Sequence, residues 1–229
     1  MIRRSRAIVC LTPLLALVAV TAAERPIPFR PESVPPAIQS LRLAIGPAGA
    51  SCSTSAAATS QGFRAIQSSR RMPDGREWTT ENLNVAAGAS YCYDDAEPNC
   101  RRFGRLYTWE SARQGCHSLG EGWRLPTNDD WRRMAGHYGG VRGDSDDGGR
   151  AAFEALSIGG RSGFDALLGG NRADDGQYAR LEAHGFYWTA SETESSAAWF
   201  YNFGGGGQSL SRHDDGGKQM ALSVRCVRD

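Results

Sequence analysis

Lysine is nearly absent from this chain: Lys218 is the one lysine in 229 residues, so almost every positive charge is an arginine. Charge of either sign is not in excess, with 26 Lys and Arg against 25 Asp and Glu and a formal net of +1. A chain so balanced carries no electrostatic footprint for nucleic acid or for an anionic membrane surface. Histidine is scarce as well. His117, His137, His184 and His213 are scattered without metal-ligand spacing. The strings H-E-x-x-H and G-x-S-x-G and the P-loop are all missing, which removes zincin, hydrolase-elbow and phosphate-cradling chemistry. No internal repeat is present.

What is there begins with Met-Ile-Arg-Arg-Ser-Arg, an apolar run from Ala7 to Val20, and the small residues Thr21-Ala22-Ala23. This pattern predicts a secretory signal peptide over 1–23. The run is short for a membrane span, and Pro13 argues against an anchor, so no span is expected in the mature chain. Cys10 lies inside the apolar run without the small residue that precedes a lipidated cysteine. Removing the arginines of 1–23 leaves 23 basic and 25 acidic side chains, a net of −2. Residues 24–61 read as a flexible tether: five prolines fall between 26 and 36, and Ala and Ser dominate after Cys52. The stretch 62–229 is long enough for one domain with a real core.

The centre of that domain is Arg105 to Tyr138, which reads as two short helices joined by a tight turn. In the second, Thr127 follows Pro126 as N-cap and Asp130 completes an S/T-x-x-D box. Trp131, Met134, Ala135 and Tyr138 recur at i, i+3, i+4 and i+7, one apolar stripe, and Gly139-Gly140 stops the helix. In the first, Thr108 is placed to cap, and Trp109, Ala112 and Cys116 share a face. Two helices cannot bury this much aromatic surface on each other, so a sheet is expected to cover them. Two short strands are expected around the Met72-Pro-Asp-Gly75 turn, a third helix over Arg150 to Leu156, and a buried segment at Phe164 to Leu168. Short strands follow at Phe186 to Thr189, Ala198 to Phe203, Gln208 to Arg212 and Met220 to Val227, with Gly204 to Gly207 as a turn. Helices early and antiparallel strands late make an α+β domain.

Five cysteines remain after Cys10, and in an oxidising compartment four of them should pair. Cys92 and Cys100 enclose a segment rich in Asp, Pro and Asn, a turn composition that suits a local bridge. Cys116 and Cys226 are then available to each other, though four cysteines allow other pairings. Cys52 is left over, free to link two chains or to stay a thiol in the tether.

The strings Gly104-Arg-Leu-Tyr-Thr-Trp-Glu110, Gly122-Trp-Arg-Leu-Pro-Thr127 and Trp131 resemble the Fibrobacter succinogenes major paralogous domain. Glu77-Trp-Thr-Thr-Glu-Asn-Leu83, Gly163-Phe-Asp-Ala-Leu167 with Gly169-Gly170, Tyr187-Trp-Thr-Ala-Ser-Glu192 and Ser223-Val-Arg-Cys-Val-Arg-Asp229 agree with it in order. The resemblance implies a C-type-lectin-like fold, with two short helices on small antiparallel sheets. It favours a long-range Cys116–Cys226 clamp over the other pairings. Arg124-Leu-Pro-Thr127 with Trp131 also resembles a string in formylglycine-generating enzymes, whose reactive cysteine pair has no counterpart here, since Cys226 is the only cysteine after Cys116.

Lectins of this fold often hold sugar through calcium at Glu-Pro-Asn and Trp-Asn-Asp segments. Glu97-Pro98-Asn99 spells the first but lies before the helices, where the resemblance does not place it. Asp144, Asp146 and Asp147 approach a D-x-D spacing and are weak calcium candidates, in a run that also reads as solvated turns. Otherwise no cofactor is expected. In lectin-like folds the C-terminal strands and loops carry the ligand, which makes Trp199, Tyr201, Asn202, Arg212, His213, Asp214 and Asp215 the candidate binding residues. Strand alternation puts Trp199, Tyr201 and Phe203 on one side and Phe200 and Asn202 on the other, one side being core. The expectation is a secreted, periplasmic or cell-surface module without catalysis, binding a glycan or an envelope protein. A thiol oxidoreductase and a retroelement-diversified display receptor are the alternatives.

Overall fold

A computed structural model describes residues 67–229. The signal peptide expected over 1–23 and the tether expected over 24–61, with Cys10 and Cys52, lie outside the described residues. In chain order the elements are β1 Ser69–Arg71, β2 Glu77–Thr79, β3 Ser90–Tyr91, a 3₁₀ turn Tyr93–Asp95, α1 Glu97–Phe103, β4 Leu106–Tyr107, α2 Trp109–His117, α3 Asn128–Gly136 and α4 Arg150–Leu156. Then come β5 Gly169–Arg172, β6 Tyr178–Leu181, β7 His184–Glu194, β8 Ala197–Gly204, β9 Ser209–Gly217 and β10 Val227–Arg228. The fold is α+β.

Helix α3 starts where its capping residues say it should. Asp130 N donates to Thr127 Oγ1 at 3.1 Å and Thr127 N donates to Asp130 Oδ2 at 2.8 Å, satisfying two of the free N–H groups of a helix start. Trp131, Met134, Ala135 and, beyond the last turn, Tyr138 are buried, as the periodicity predicts. Gly139 and Gly140 then take φ of 112° and 90°, a left-handed reversal open to glycine. Helix α2 differs in one detail: Thr108 is its N-cap by position, but the hydroxyl donates to Ser111 Oγ at 2.9 Å and caps no backbone N–H.

The largest sheet has the order β6-β5-β7-β8-β9. It is antiparallel except at β5 and β7, which meet in parallel at Gly170 and Gly185. That corrects the expectation of small antiparallel sheets alone. β1, β2 and β10 form a second sheet, and β3 and β4 a third. Trp131 fills the space between α3 and the large sheet. Tyr201 stacks on it at 5.0 Å and 18°, and Trp78, Phe164 and Tyr187 approach at 5.2, 5.6 and 5.7 Å. The opposite side of the sheet packs Trp188, Phe186 and Phe200 with α2 and the C-terminal segment. Trp188 Nε1 donates to the Tyr107 carbonyl at 2.8 Å and Trp109 Nε1 to the Thr189 carbonyl at 2.8 Å, so both indoles bury without an orphaned donor.

Two further expectations change. Met220 to Val227 is not one strand: Ala221, Leu222 and Ser223 each bridge a different element, at Arg172, Tyr107 and Tyr187, and only Val227–Arg228 lies in a sheet. The segment threads between layers, so its alternation serves several partners at once. Between Cys92 and Cys100 the chain forms a 3₁₀ turn and the start of α1, with Pro98 in the first helical turn and Glu97 beside it. Both disulfides form, Cys92–Cys100 across 8 residues and Cys116–Cys226 across 110.

Candidate functional site

The seven candidate residues lie on β8 and β9, where Tyr201 pairs with Arg212, Asn202 with Ser211 and Phe200 with His213. They do not make one surface. Tyr201 belongs to the core: it is wholly buried, stacks on Trp131, and lies with Oη 3.0 Å from Asn128 Oδ1. Burial pushes its phenol well above the usual tyrosine value. Asn202 and His213 face the other side. There Asn202 Oδ1 meets His184 Nδ1 at 3.0 Å, and the His213 ring lies 5.0 Å from Phe200 at 14°, covering it. Asp214 and Asp215 are exposed farther along β9, where Thr193 Oγ1 donates to the Asp214 carbonyl at 2.7 Å. Alternation along β8 separates Tyr201 from Asn202 and His213, and Asp214 and Asp215 fall where β9 carries an extra residue against β8.

Trp199 and Arg212 do meet. The pairing of β8 with β9 shifts between Ala198 and Phe200, where β9 carries one extra residue, so Trp199 keeps to the same side of β8 as Tyr201, the partner of Arg212. The Arg212 guanidinium lies 5.2 Å from the centre of its ring. Arg212 Nη2 is also 3.7 Å from Asp144 Oδ1, and Arg132 Nε donates to Asp144 Oδ2 at 3.0 Å. Asp144 therefore links the C-terminal strands to α3. Asp147 is used otherwise: its carboxylate accepts from Gly149 N at 2.9 Å and Ala151 N at 2.8 Å at the start of α4. The bond from Ala151 holds it below the usual carboxylate range. Asp146 is exposed. Asp144 and Asp147 thus serve separate partners, and the three carboxylates are not among the clustered ligand-type groups of the described residues.

Beside Asp144 opens a cleft of about 450 Å³, walled by Asp129, Arg132, Arg133 and Gly136 of α3 and closed by Gly139–Val141 and Asp144. The four α3 residues recur at i, i+3, i+4 and i+7, the outward complement of the buried stripe. Sequence reasoning missed them because it followed the apolar positions alone; the same period read for the polar side finds them. A second cleft, of about 430 Å³, includes Glu81, Asn84, Arg101 and Arg102 and lies over buried Asn82.

The described cysteines Cys92, Cys100, Cys116 and Cys226 are all in disulfides. A thiol-based reaction at these positions has no thiolate to use. Cys92, Glu97 and Cys100 place ligand-type atoms within 4.8 Å of one another, but the two sulfurs are bonded to each other. No helix among the described residues is long and apolar enough to cross a membrane.

In class, this is a disulfide-clamped α+β domain with a polar cleft whose Asp144 pairs with the arginine that lies over Trp199 on the sheet. The chain belongs to the Fibrobacter succinogenes major domain family, whose model matches residues 63–228. No curated protein matches the chain.

Proposed function

We propose that the protein is an exported, non-catalytic recognition module of the bacterial cell envelope, binding a saccharide at the surface shared by α3, β8 and β9. The observation that carries this reading is the run of contacts Trp199, Arg212, Asp144, Arg132 along the edge of the α3 cleft. An indole beside guanidinium donors and carboxylate acceptors can stack on a sugar ring and answer its hydroxyls, each of which both donates and accepts. The ion pairs hold these groups in place before a ligand arrives, which lowers the ordering cost of binding.

The lectin-like reading of the fold is supported by the paired helices and by the clamp from Cys116 to the last strand segment. Export is supported by the N-terminal sequence and by two disulfides, which form and persist in oxidising compartments.

The test is binding of the purified protein to a panel of glycans and envelope fractions, with calcium and with chelator, beside a Trp199→Ala, Arg212→Ala double variant. Saturable binding that free sugar inhibits and the variant loses is the expected result. Binding that sugar leaves untouched makes the partner a protein, and equal binding by the variant moves the site elsewhere.

A further inference from the structure

We infer that the cleft between α3 and the Gly139–Asp144 turn takes an acidic saccharide, with the sugar's carboxylate on Arg133. This deepens the proposed function and rests on it. The argument begins with charge. Arg132, Arg133 and Arg212 lie at or beside the cleft against Asp129 and Asp144, a surplus of one positive charge. Asp144 is already shared, with Arg132 at 3.0 Å and Arg212 at 3.7 Å. Arg133 has no carboxylate partner among the described residues, and it is exposed on the cleft wall. A guanidinium in this position offers a planar fork that a carboxylate accepts in two hydrogen bonds, which a neutral hydroxyl cannot match.

The second observation is Gly136. It is the last residue of α3, one turn beyond Arg132 and Arg133, without a left-handed φ, and a Cβ built there meets nothing within 4 Å. Neither backbone nor packing asks for glycine, and glycine is the poorest helix former after proline. A local rule broken without a structural reason marks a place where something else is required. Here the missing side chain keeps the wall clear next to Arg133. On the opposite wall a Cβ at Gly140 would come within 3.3 Å of the Asp144 carbonyl, so that side is close-packed and the opening lies toward Gly136.

The ligand then fits as follows. Its carboxylate pairs with Arg133, its hydroxyls meet the Asp144 carboxylate and the free N–H groups of Arg132, and a neighbouring sugar reaches Trp199 past Arg212. A neutral sugar would leave Arg133 unanswered.

The experiment uses calorimetric titration of the purified protein with a galacturonic-acid oligosaccharide and with its neutral galactose counterpart, and sulfated and phosphate-bearing controls. Wild type, Arg133→Gln and Gly136→Leu are compared, each with its melting temperature. The expected result is at least tenfold tighter binding of the acidic oligosaccharide. Arg133→Gln should lose that preference, and Gly136→Leu should lose binding while melting no lower than wild type, because leucine favours the helix. Equal affinity for the acidic and neutral sugars, or acidic binding untouched by both variants, overturns the inference and leaves saccharide recognition standing. Preference for the sulfated or phosphate-bearing control over the carboxylate overturns the assignment of the acidic group. If no saccharide binds at all, both the inference and the recognition reading fall.

Discussion

Arg225 Nε donates to Asn82 Oδ1 at 2.8 Å, joining residues 143 apart in the chain inside a wholly buried site. The guanidinium has no carboxylate there. Its other N–H groups donate to the carbonyls of Thr79 at 3.1 Å, Asp165 at 2.7 Å and Phe164, and its plane lies 4.5 Å from the Phe164 ring. Asn82 Nδ2 in turn donates to the Phe103 carbonyl at 2.7 Å. Arg225 and Asn82 together thus tie the end of β2 and the segment after it, the end of α1, the approach to β5 and the C-terminal segment.

Arg225→Met keeps the length of the side chain and removes its donors, leaving buried oxygens unanswered. The expected loss is about 3–5 kcal/mol in urea unfolding. Arg225→Lys should recover only part of this, because one ammonium cannot reach acceptors spread along a fork. A Lys variant as stable as wild type would show that charge alone matters there.

Asp130 gives the stability a pH dependence of known sign. Burial works to raise its pKa, but hydrogen bonds from Arg124 and from the Thr127 backbone outweigh burial and hold the carboxyl below its usual range. Arg124 Nη1 donates at 2.6 Å, and Arg76 pairs with the other oxygen. A carboxyl lower in the folded state than in the unfolded one stabilises fully above the unfolded value, about 4. That contribution fades as pH falls toward the folded value. Stability should therefore drop below pH 4, and Asp130→Asn should flatten that drop. Asp130→Ala, which also removes the cap, should cost about 3 kcal/mol at pH 7.

The two disulfides should differ in weight. By chain entropy the loop of 110 residues closed by Cys116–Cys226 is worth about 5 kcal/mol. The loop of 8 closed by Cys92–Cys100 is worth about 2.5 kcal/mol. Paired alanine variants, Cys116→Ala with Cys226→Ala and Cys92→Ala with Cys100→Ala, compared by denaturant midpoint test the order. Equal losses would mean that native packing around the bridges, and not loop closure, sets their effect.

What the sequence made legible was local. The Thr127–Asp130 cap, the Trp131 stripe and the Gly139-Gly140 stop depend on residues a few positions apart, so a window of the chain contains them whole. Helix α1 was missed because Pro98 and Asn99 read as turn residues, although proline in a first helical turn removes no needed donor. The Met220–Val227 segment was misread because each of its residues answers a different distant partner. The site split for the same reason. Alternation in β8 was visible, but both of its sides are packed, Tyr201 and Phe203 against Trp131 of α3 and Phe200 with Trp188 and α2, and no window of the strand contains those partners. Arg132 and Asp144 come together only once the turn at Gly139 folds the chain back, a relationship no single period expresses.

Tyr201 and Asn202 test that split directly. Tyr201 is buried against Trp131 with its hydroxyl 3.0 Å from Asn128 Oδ1, whereas Asn202 is half-buried on the opposite face and bonded to His184. Tyr201→Ala should cost about 3–5 kcal/mol, since it opens a cavity beside Trp131. Tyr201→Phe should lose only the hydroxyl contact, about 1 kcal/mol. Asn202→Ala should stay within about 1 kcal/mol of wild type. Thermal melts of the three variants, run beside the glycan titration, separate folding from recognition. Because Tyr201 cannot touch a ligand, Tyr201→Phe should bind as wild type does. A loss of affinity in Tyr201→Phe at unchanged stability would return this tyrosine to the binding face and move the core boundary of β8.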